Sequence, residues 1–377
     1  MIRYEYNNKG GKLNMKKVLA SLLALSMMLV GCGSSGNDDK TDTGDNAKKT
    51  IVMITDKGTI EDKSFNQGTW EGIEAYGKET GARTEYIKPT DGTTQAYNEA
   101  IDQAVNDYKA NVVVTPGYLF EASIFEKQTT YPDVKFILID GVPNKDGLYQ
   151  EFKTAENTVS IKYAEQESGY LAGYAAVKEG YTKLGFMGGQ AVPAVINFGY
   201  GYIQGANDAA KELGITIELQ YKYTDSFIPD PAIQTEAASW YKSGTEIIFS
   251  CGGGIFASIS AAAQQNNGLV IGVDVDQNGE GEYVLTSAYK QLAHSVQVQL
   301  KAIDDGTFQG GKDLVLSAKD EATGLPMETS RFKKFTKEEY DALYKKIVDG
   351  EISILDNTGA KTATDVPVTH VNVKLVK

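Results

Sequence analysis

Carboxylates, aromatic rings, one amide and one amine recur in this chain where short apolar runs give way to loops. Asp56 follows the first run, and Phe65-Asn66 opens the amphipathic stretch after it. Ile139-Asp140-Gly141 ends a later run, and Asn197-Phe198 begins a stretch crowded with glycine and aromatic residues. Cys251-Gly252-Gly253-Gly254 follows another run, and Val273-Asp274 and Tyr289-Lys290 close two more. Taken singly, each is ordinary loop chemistry, since a strand-end aspartate commonly just forms a turn. Together they suit a flat, hydroxylated small molecule, a nucleoside or a sugar. Rings stack on the π-faces of a base, at about 1–3 kcal/mol per base. Carboxylates accept hydroxyl protons, while lysine or asparagine fixes the remaining oxygens or a base edge.

Two other chemistries compete for the same residues. Asp274 and Asp276 lie at i and i+2, on one side of an extended segment, as the acid and base of a glycosidase or nucleoside hydrolase could. Backbone N–H groups of the Gly252–Gly254 turn could cradle an anion or a sugar hydroxyl. No Lys-Ser or Lys-Thr follows that turn, so it is not a nucleotide-triphosphate loop. His294 and His370 are the only histidines, which argues against a histidine-based zinc site or a Ser-His-Asp triad. No metal and no cofactor is expected.

Positioning these residues requires alternating strands and helices. Short β-branched runs occur at Thr50–Ile54, Val112–Thr115, Lys135–Asp140, Thr158–Ile161, Lys183–Met187, Thr216–Tyr221, Ile247–Ser250, Val270–Val273 and Val284–Ser287. Amphipathic stretches between them, such as Asn66–Thr80, Gln95–Asp107, Glu165–Glu179, Phe198–Leu213, Pro231–Ser243 and Phe256–Asn266, read as helices. Ser64 or Asp62 is placed to cap the first of these. The alternation predicts an α/β fold with two doubly wound parallel-sheet lobes. Ligands of such sheets bind at the carboxyl ends of strands, where the residues above fall.

The N-terminal region carries an address. Lys16-Lys17 precedes the apolar run Val18 to Val30, and Leu29-Val30-Gly31-Cys32 closes it. The run is shorter than the roughly twenty residues of a membrane-spanning helix, and a small residue before cysteine resembles a bacterial lipobox. Residues 1–31 are therefore expected to be a signal peptide, and Cys32 the lipidated first residue of the mature chain. A thioether-linked diacylglycerol brings two acyl chains, enough for stable anchoring. Residues 32–49, rich in Gly, Ser, Asp and Lys, are expected to form a flexible leash. Lys9-Gly10-Gly11-Lys12 can be encoded by purine-rich DNA like a ribosome-binding site, so Met15 is the expected true start.

Formal net charge is −13, and removal of residues 1–31, with five basic groups and one acidic, makes the mature chain more acidic still. So acidic a surface argues against nucleic acid and against electrostatic docking on anionic lipid. Once Cys32 is lipidated only Cys251 remains, leaving no intramolecular disulfide.

The segments DKSFNQ (Asp62–Gln67), IDG (Ile139–Gly141), NFGYGYIQG (Asn197–Gly205), GVDVDQ (Gly272–Gln277) and TSAYK (Thr286–Lys290), with the lipobox, resemble the BMP family. These are basic membrane proteins, lipoproteins that serve as purine-nucleoside receptors of ABC importers, although this chain is acidic. The resemblance runs from Thr50 to about Phe335. It implies a type I periplasmic-binding-protein fold whose two lobes, joined by a hinge, close on the ligand. Lobe 1 is expected to span 50–161 plus about 285–312, and lobe 2 to span 162–284 plus about 313–377. By the same resemblance Phe65 and Phe198 sandwich the purine, Asn66 and Asp140 bind the base, and Asp274 and Lys290 bind the ribose. Gly252 and Asp56 face the same ligand, and Tyr118, Tyr200 and Tyr202 are aromatic neighbours of open role. The implied protein is a monomer that is not an enzyme, lipid-anchored at the extracytoplasmic face of the cell membrane. It would bind adenosine, guanosine or inosine and work with an ABC permease and ATPase. A receptor for a sugar or signalling compound and a secreted nucleoside hydrolase are the alternatives.

Overall fold

Two parallel sheets, each with its own pair of apolar cores, follow from the alternation of buried β-branched strands and amphipathic helices. The computed structural model describes residues 49–147 and 151–377; the signal segment, Cys32 and nearly all of the leash lie outside the described residues.

The first sheet contains β1 (Thr50–Ile54), β2 (Arg83–Ile87), β3 (Val112–Pro116), β4 (Lys135–Ile139), β5 (Thr158–Tyr163) and β11 (Lys312–Leu316), in the order β11-β5-β4-β3-β1-β2 and parallel throughout. Its faces are covered by α1 (Phe65–Thr80), α2 (Thr94–Asn106), α3 (Glu121–Thr130) and α8 (Leu292–Asp304). The second sheet contains β6 (Lys183–Gly188), β7 (Ile217–Tyr223), β8 (Ile247–Cys251), β9 (Leu269–Asp274), β10 (Val284–Lys290), β12 (Thr323–Gly324) and β13 (Val371–Leu375). Its order is β12-β10-β9-β8-β6-β7-β13, antiparallel only where β12 meets β10. The helices α4 (Glu165–Glu179), α5 (Pro193–Leu213), α6 (Pro231–Lys242), α7 (Ile255–Asn266) and α9 (Lys337–Val348) pack on it. The central strands β1, β3 and β8 are buried along their whole length, as strands covered on both faces must be.

The chain passes between the sheets three times: between Tyr163 and Glu165, between Lys290 and Leu292, and between Leu316 and Ala318. The expected boundaries at 161, 285 and 313 are thereby corrected. Pairing of β10 with β9, through Tyr289 against Asp274, keeps Val284–Lys290 in the second sheet. Pairing of β11 with β5, from Lys312 against Val159 to Leu316 against Tyr163, adds β11 to the first sheet and carries β5 two residues further.

The glycines of α4 and α5 let the two helices touch backbone to backbone. A Cβ on Gly169 or Gly173 would lie 2.1 Å from the carbonyl oxygen of Phe198 or Tyr202. One on Gly201 or Gly205 would lie 2.1 or 1.9 Å from that of Gln166 or Tyr170. No side chain fits at those distances, so the glycines of this stretch set a helix–helix approach. It also brings the start of α4 against the first turns of α5.

Candidate ligand-binding cleft

The carboxyl ends of both sets of strands converge on a cavity of about 450 Å³, within the range that holds small ligands. Asp56, Phe65, Asn66, Asp140, Phe198, Gly252, Asp274 and Lys290 all line it. Asp140 and Asp274 hold left-handed backbone conformations, with φ of 56° and 68°. Aspartate tolerates these better than most residues, and such backbone clusters at functional sites.

Lys290 is buried at the end of β10, where the chain crosses lobes, and gathers one polar pole of the cavity. Its ammonium pairs with Asp140, lies 3.4 Å from Asp274 Oδ1 and 4.0 Å from Glu165 Oε1. It also stands 4.7, 5.3 and 5.7 Å from the ring centroids of Phe65, Tyr163 and Phe198, so its charge is held by carboxylates and ring faces together. Burial alone would pull its pKa down, but the three carboxylates outweigh that and hold it above the ordinary value. Asp274 is tied to the other lobe by Ser64, whose hydroxyl donates to Oδ2 at 2.6 Å. Asp140 Oδ1 is buried with no hydrogen-bond partner among the described residues. Asp140 thus sits against the lysine that the resemblance assigns to the ribose.

The second pole is built on the loop after β1. Asn66 donates to Asp56 Oδ1 and Asp62 Oδ2, both at 2.8 Å. Asp62, rather than Ser64, supplies the cap of α1: its carboxylate accepts from the backbone N–H groups of Ser64, Asn66 and Gln67 at 2.9–3.1 Å. Burial pushes the Asp56 carboxyl up to about 6, against the lowering effect of its bonds from Gly58 and Asn66.

Glu165, Asn197 and the segment Asp356–Thr358 also line the cavity and were not among the expected site residues. Asn197 donates to Glu165 Oε2 at 2.8 Å and accepts from the Asn357 backbone at 2.8 Å, joining the lobe crossing to the C-terminal segment. Burial raises Glu165 to about 7, with the nearby Asp140 charge adding to the rise and Lys290 opposing it. A carboxylate opening a helix straight after a strand was the available signal for Glu165; nothing local to Asp356–Thr358 marks it. Of the tyrosines, Tyr118 lines the cavity and donates to Gln190 Oε1 at 3.0 Å. Tyr200 and Tyr202 are buried in the core of the second lobe.

The proposed acid–base pair does not assemble. Asp276 is exposed, accepts from Thr329 Oγ1 at 2.6 Å and from the Asn278 N–H at 3.0 Å, and is absent from the lining. The turn after Asp274 carries it away from the cleft.

Solved structures share the fold. A solute-binding protein of an ABC transporter system from Aeropyrum pernix K1 superposes with a TM-score of 0.71 over 84% of this chain and 95% of its own, at 20% identity. A second, from Conexibacter woesei, gives 0.65 over 82% and 99%, at 22% identity. The two-lobed architecture is the type I periplasmic-binding-protein fold. In sequence the chain is 29% identical to the ABC transporter nucleoside-binding protein BmpA of Lactococcus lactis, covering 90% of this chain and 99% of that one. It is 27% identical to basic membrane protein A of Borreliella burgdorferi, over 91% and 96%. The family model for PnrA-like ABC transporter substrate-binding proteins matches residues 49–358, and the chain therefore belongs to the Bmp family of substrate-binding components.

Proposed function

We propose that this protein captures purine nucleosides between its lobes and delivers them to an ABC permease, without transforming them. One observation carries the reading: a single cavity is lined by two phenylalanine rings, an acidic Asp56–Asn66 pole, and a buried amine among three carboxylates. Rings match the faces of a base, and an amine beside carboxylates matches ribose hydroxyls, which both donate and accept. The nucleoside-binding name of the Lactococcus relative supports the same reading.

Among the described residues no helix is long and apolar enough to cross a membrane. The lipid on Cys32 would instead hold the monomer at the extracytoplasmic face, within reach of its permease. Replacing Cys32 by serine should release the protein into the medium, read by fractionation.

Calorimetry against adenosine, guanosine, inosine, free bases and simple sugars tests the cargo. Nucleosides should bind tightly, sugars and bases weakly. Asp274→Ala should weaken nucleoside binding by several kcal/mol, because ribose hydroxyls and Lys290 lose a buried partner. Tight binding of a sugar with no nucleoside binding would overturn the proposal, as would release of free base from inosine.

A further inference from the structure

The side-chain donors of Asn66 are already committed within the protein. The Asn66 amide gives both its hydrogens to Asp56 and Asp62, and its oxygen accepts from the Asp56 N–H at 3.2 Å. The opposite amide orientation would press oxygen against two carboxylate oxygens, so the assignment is fixed by its surroundings. Gly58 is what allows this nest: a Cβ there would lie 2.5 Å from Asn66 Nδ2, and its own N–H donates to Asp56 Oδ1 at 2.7 Å. The Asp62 oxygens are taken up by the first turn of α1. Lys57, the nearest cation on the loop, lines a neighbouring cavity instead of this one.

The group left over is Asp56 Oδ2, which has no hydrogen-bond partner among the described residues. A Cβ placed on Gly117 would be 3.5 Å from this oxygen and 3.8 Å from Cε1 of Phe65. The free acceptor and the ring on which a base would stack thus both lie within 4 Å of that one position. The Lys290 pole, by contrast, offers a donor and acceptors together.

We infer that Asp56, rather than Asn66, reads the base, that it does so only as an acceptor, and that the preferred cargo is a guanine-type nucleoside. This rests on the nucleoside reading above. Guanine presents N1–H and N2–H₂ side by side, both able to donate to the one free oxygen Oδ2, and hypoxanthine presents N1–H alone. Adenine presents N6–H₂ next to the lone pair of N1, which repels an acceptor.

Calorimetry on the full chain at pH 8, where Asp56 is ionised, separates the possibilities. Guanosine should bind about tenfold tighter than inosine and tighter still than adenosine. 1-Methylguanosine should bind at least about a hundredfold more weakly than guanosine. Asp56→Asn keeps an oxygen for Asn66 but turns N–H₂ toward the ligand, so the guanosine-to-adenosine affinity ratio should fall at least about tenfold. Adenosine binding as tightly as guanosine, no penalty for N1 methylation, or an unchanged ratio in the folded variant would each overturn this inference and leave the nucleoside reading standing. Failure of every nucleoside to bind would overturn both.

Discussion

Lys290 decides the electrostatics of the cleft, because one buried ammonium faces the buried carboxylates of Asp274 and Glu165 and the largely buried one of Asp140. Removing it strands those charges. Lys290→Met should cost about 3–5 kcal/mol of unfolding free energy, measured in urea at pH 8, and less at pH 5.5, where Glu165 can take up a proton. Glu165 gives the wild-type protein a pH dependence of its own. Its folded pKa of about 7 lies above the ordinary 4.5, so between those values the folded state keeps a proton that the unfolded chain has released. That contribution to stability is complete below about pH 4.5 and is lost as pH rises through 7. Asp56, raised to about 6, acts in the same direction over a lower range. Ligand-free protein should therefore melt at a lower temperature at pH 8 than at pH 5.5. Glu165→Gln should flatten most of that difference, and an unchanged slope would show that other groups set it.

The α4–α5 pair shows how an element can serve the site from behind it. Glu165 opens α4 and Asn197 lies near the start of α5, and their bond depends on the glycine-mediated approach of the two helices. Gly205→Ala puts a methyl where the Tyr170 carbonyl oxygen already sits, and should cost about 1–3 kcal/mol. It should also weaken ligand binding, although Gly205 is not part of the cavity lining. A lowered urea midpoint with unchanged affinity would uncouple the helix pair from the site. The same elements mark what was legible in the sequence. Central strands such as β1 and β8 are unbroken apolar runs and were read nearly to the residue. β2, β11 and β13 are edge strands, partly exposed and rich in polar residues, so no apolar run announced them. Asp56, Phe65, Asp140, Asp274 and Lys290 were visible because strand ends in a doubly wound sheet point at the cleft. Asn197, Glu165 and Asp356–Thr358 are joined by contacts across 30 to 160 residues, a separation that no local pattern encodes.

Taken whole, the molecule has its lobes bridged by direct contacts as well as by the three crossings. Ser64 donates to Asp274, Gln277 donates to the Lys63 carbonyl at 2.7 Å, Lys63 pairs with Glu280, and Tyr118 donates to Gln190. Opening of the lobes about the crossings would break such bonds, so each would favour the closed over the open form. A ligand enclosed by both lobes must leave by opening them, and weaker bridges should therefore appear in the dissociation rate. Tyr118→Phe removes one neutral hydrogen bond, worth about 0.5–1.5 kcal/mol, and should speed nucleoside release by about two- to tenfold. Gln190 does not line the ligand cavity, so Gln190→Ala tests the bridge without touching the cargo. It should match Tyr118→Phe, and the double variant should be no faster than either single one. Lys63 is half exposed, so Lys63→Ala should have a smaller effect that fades in high salt. Stopped-flow traces in which the Tyr118 and Gln190 effects simply add would mean that the two residues act separately, and that their bond does not hold the lobes shut.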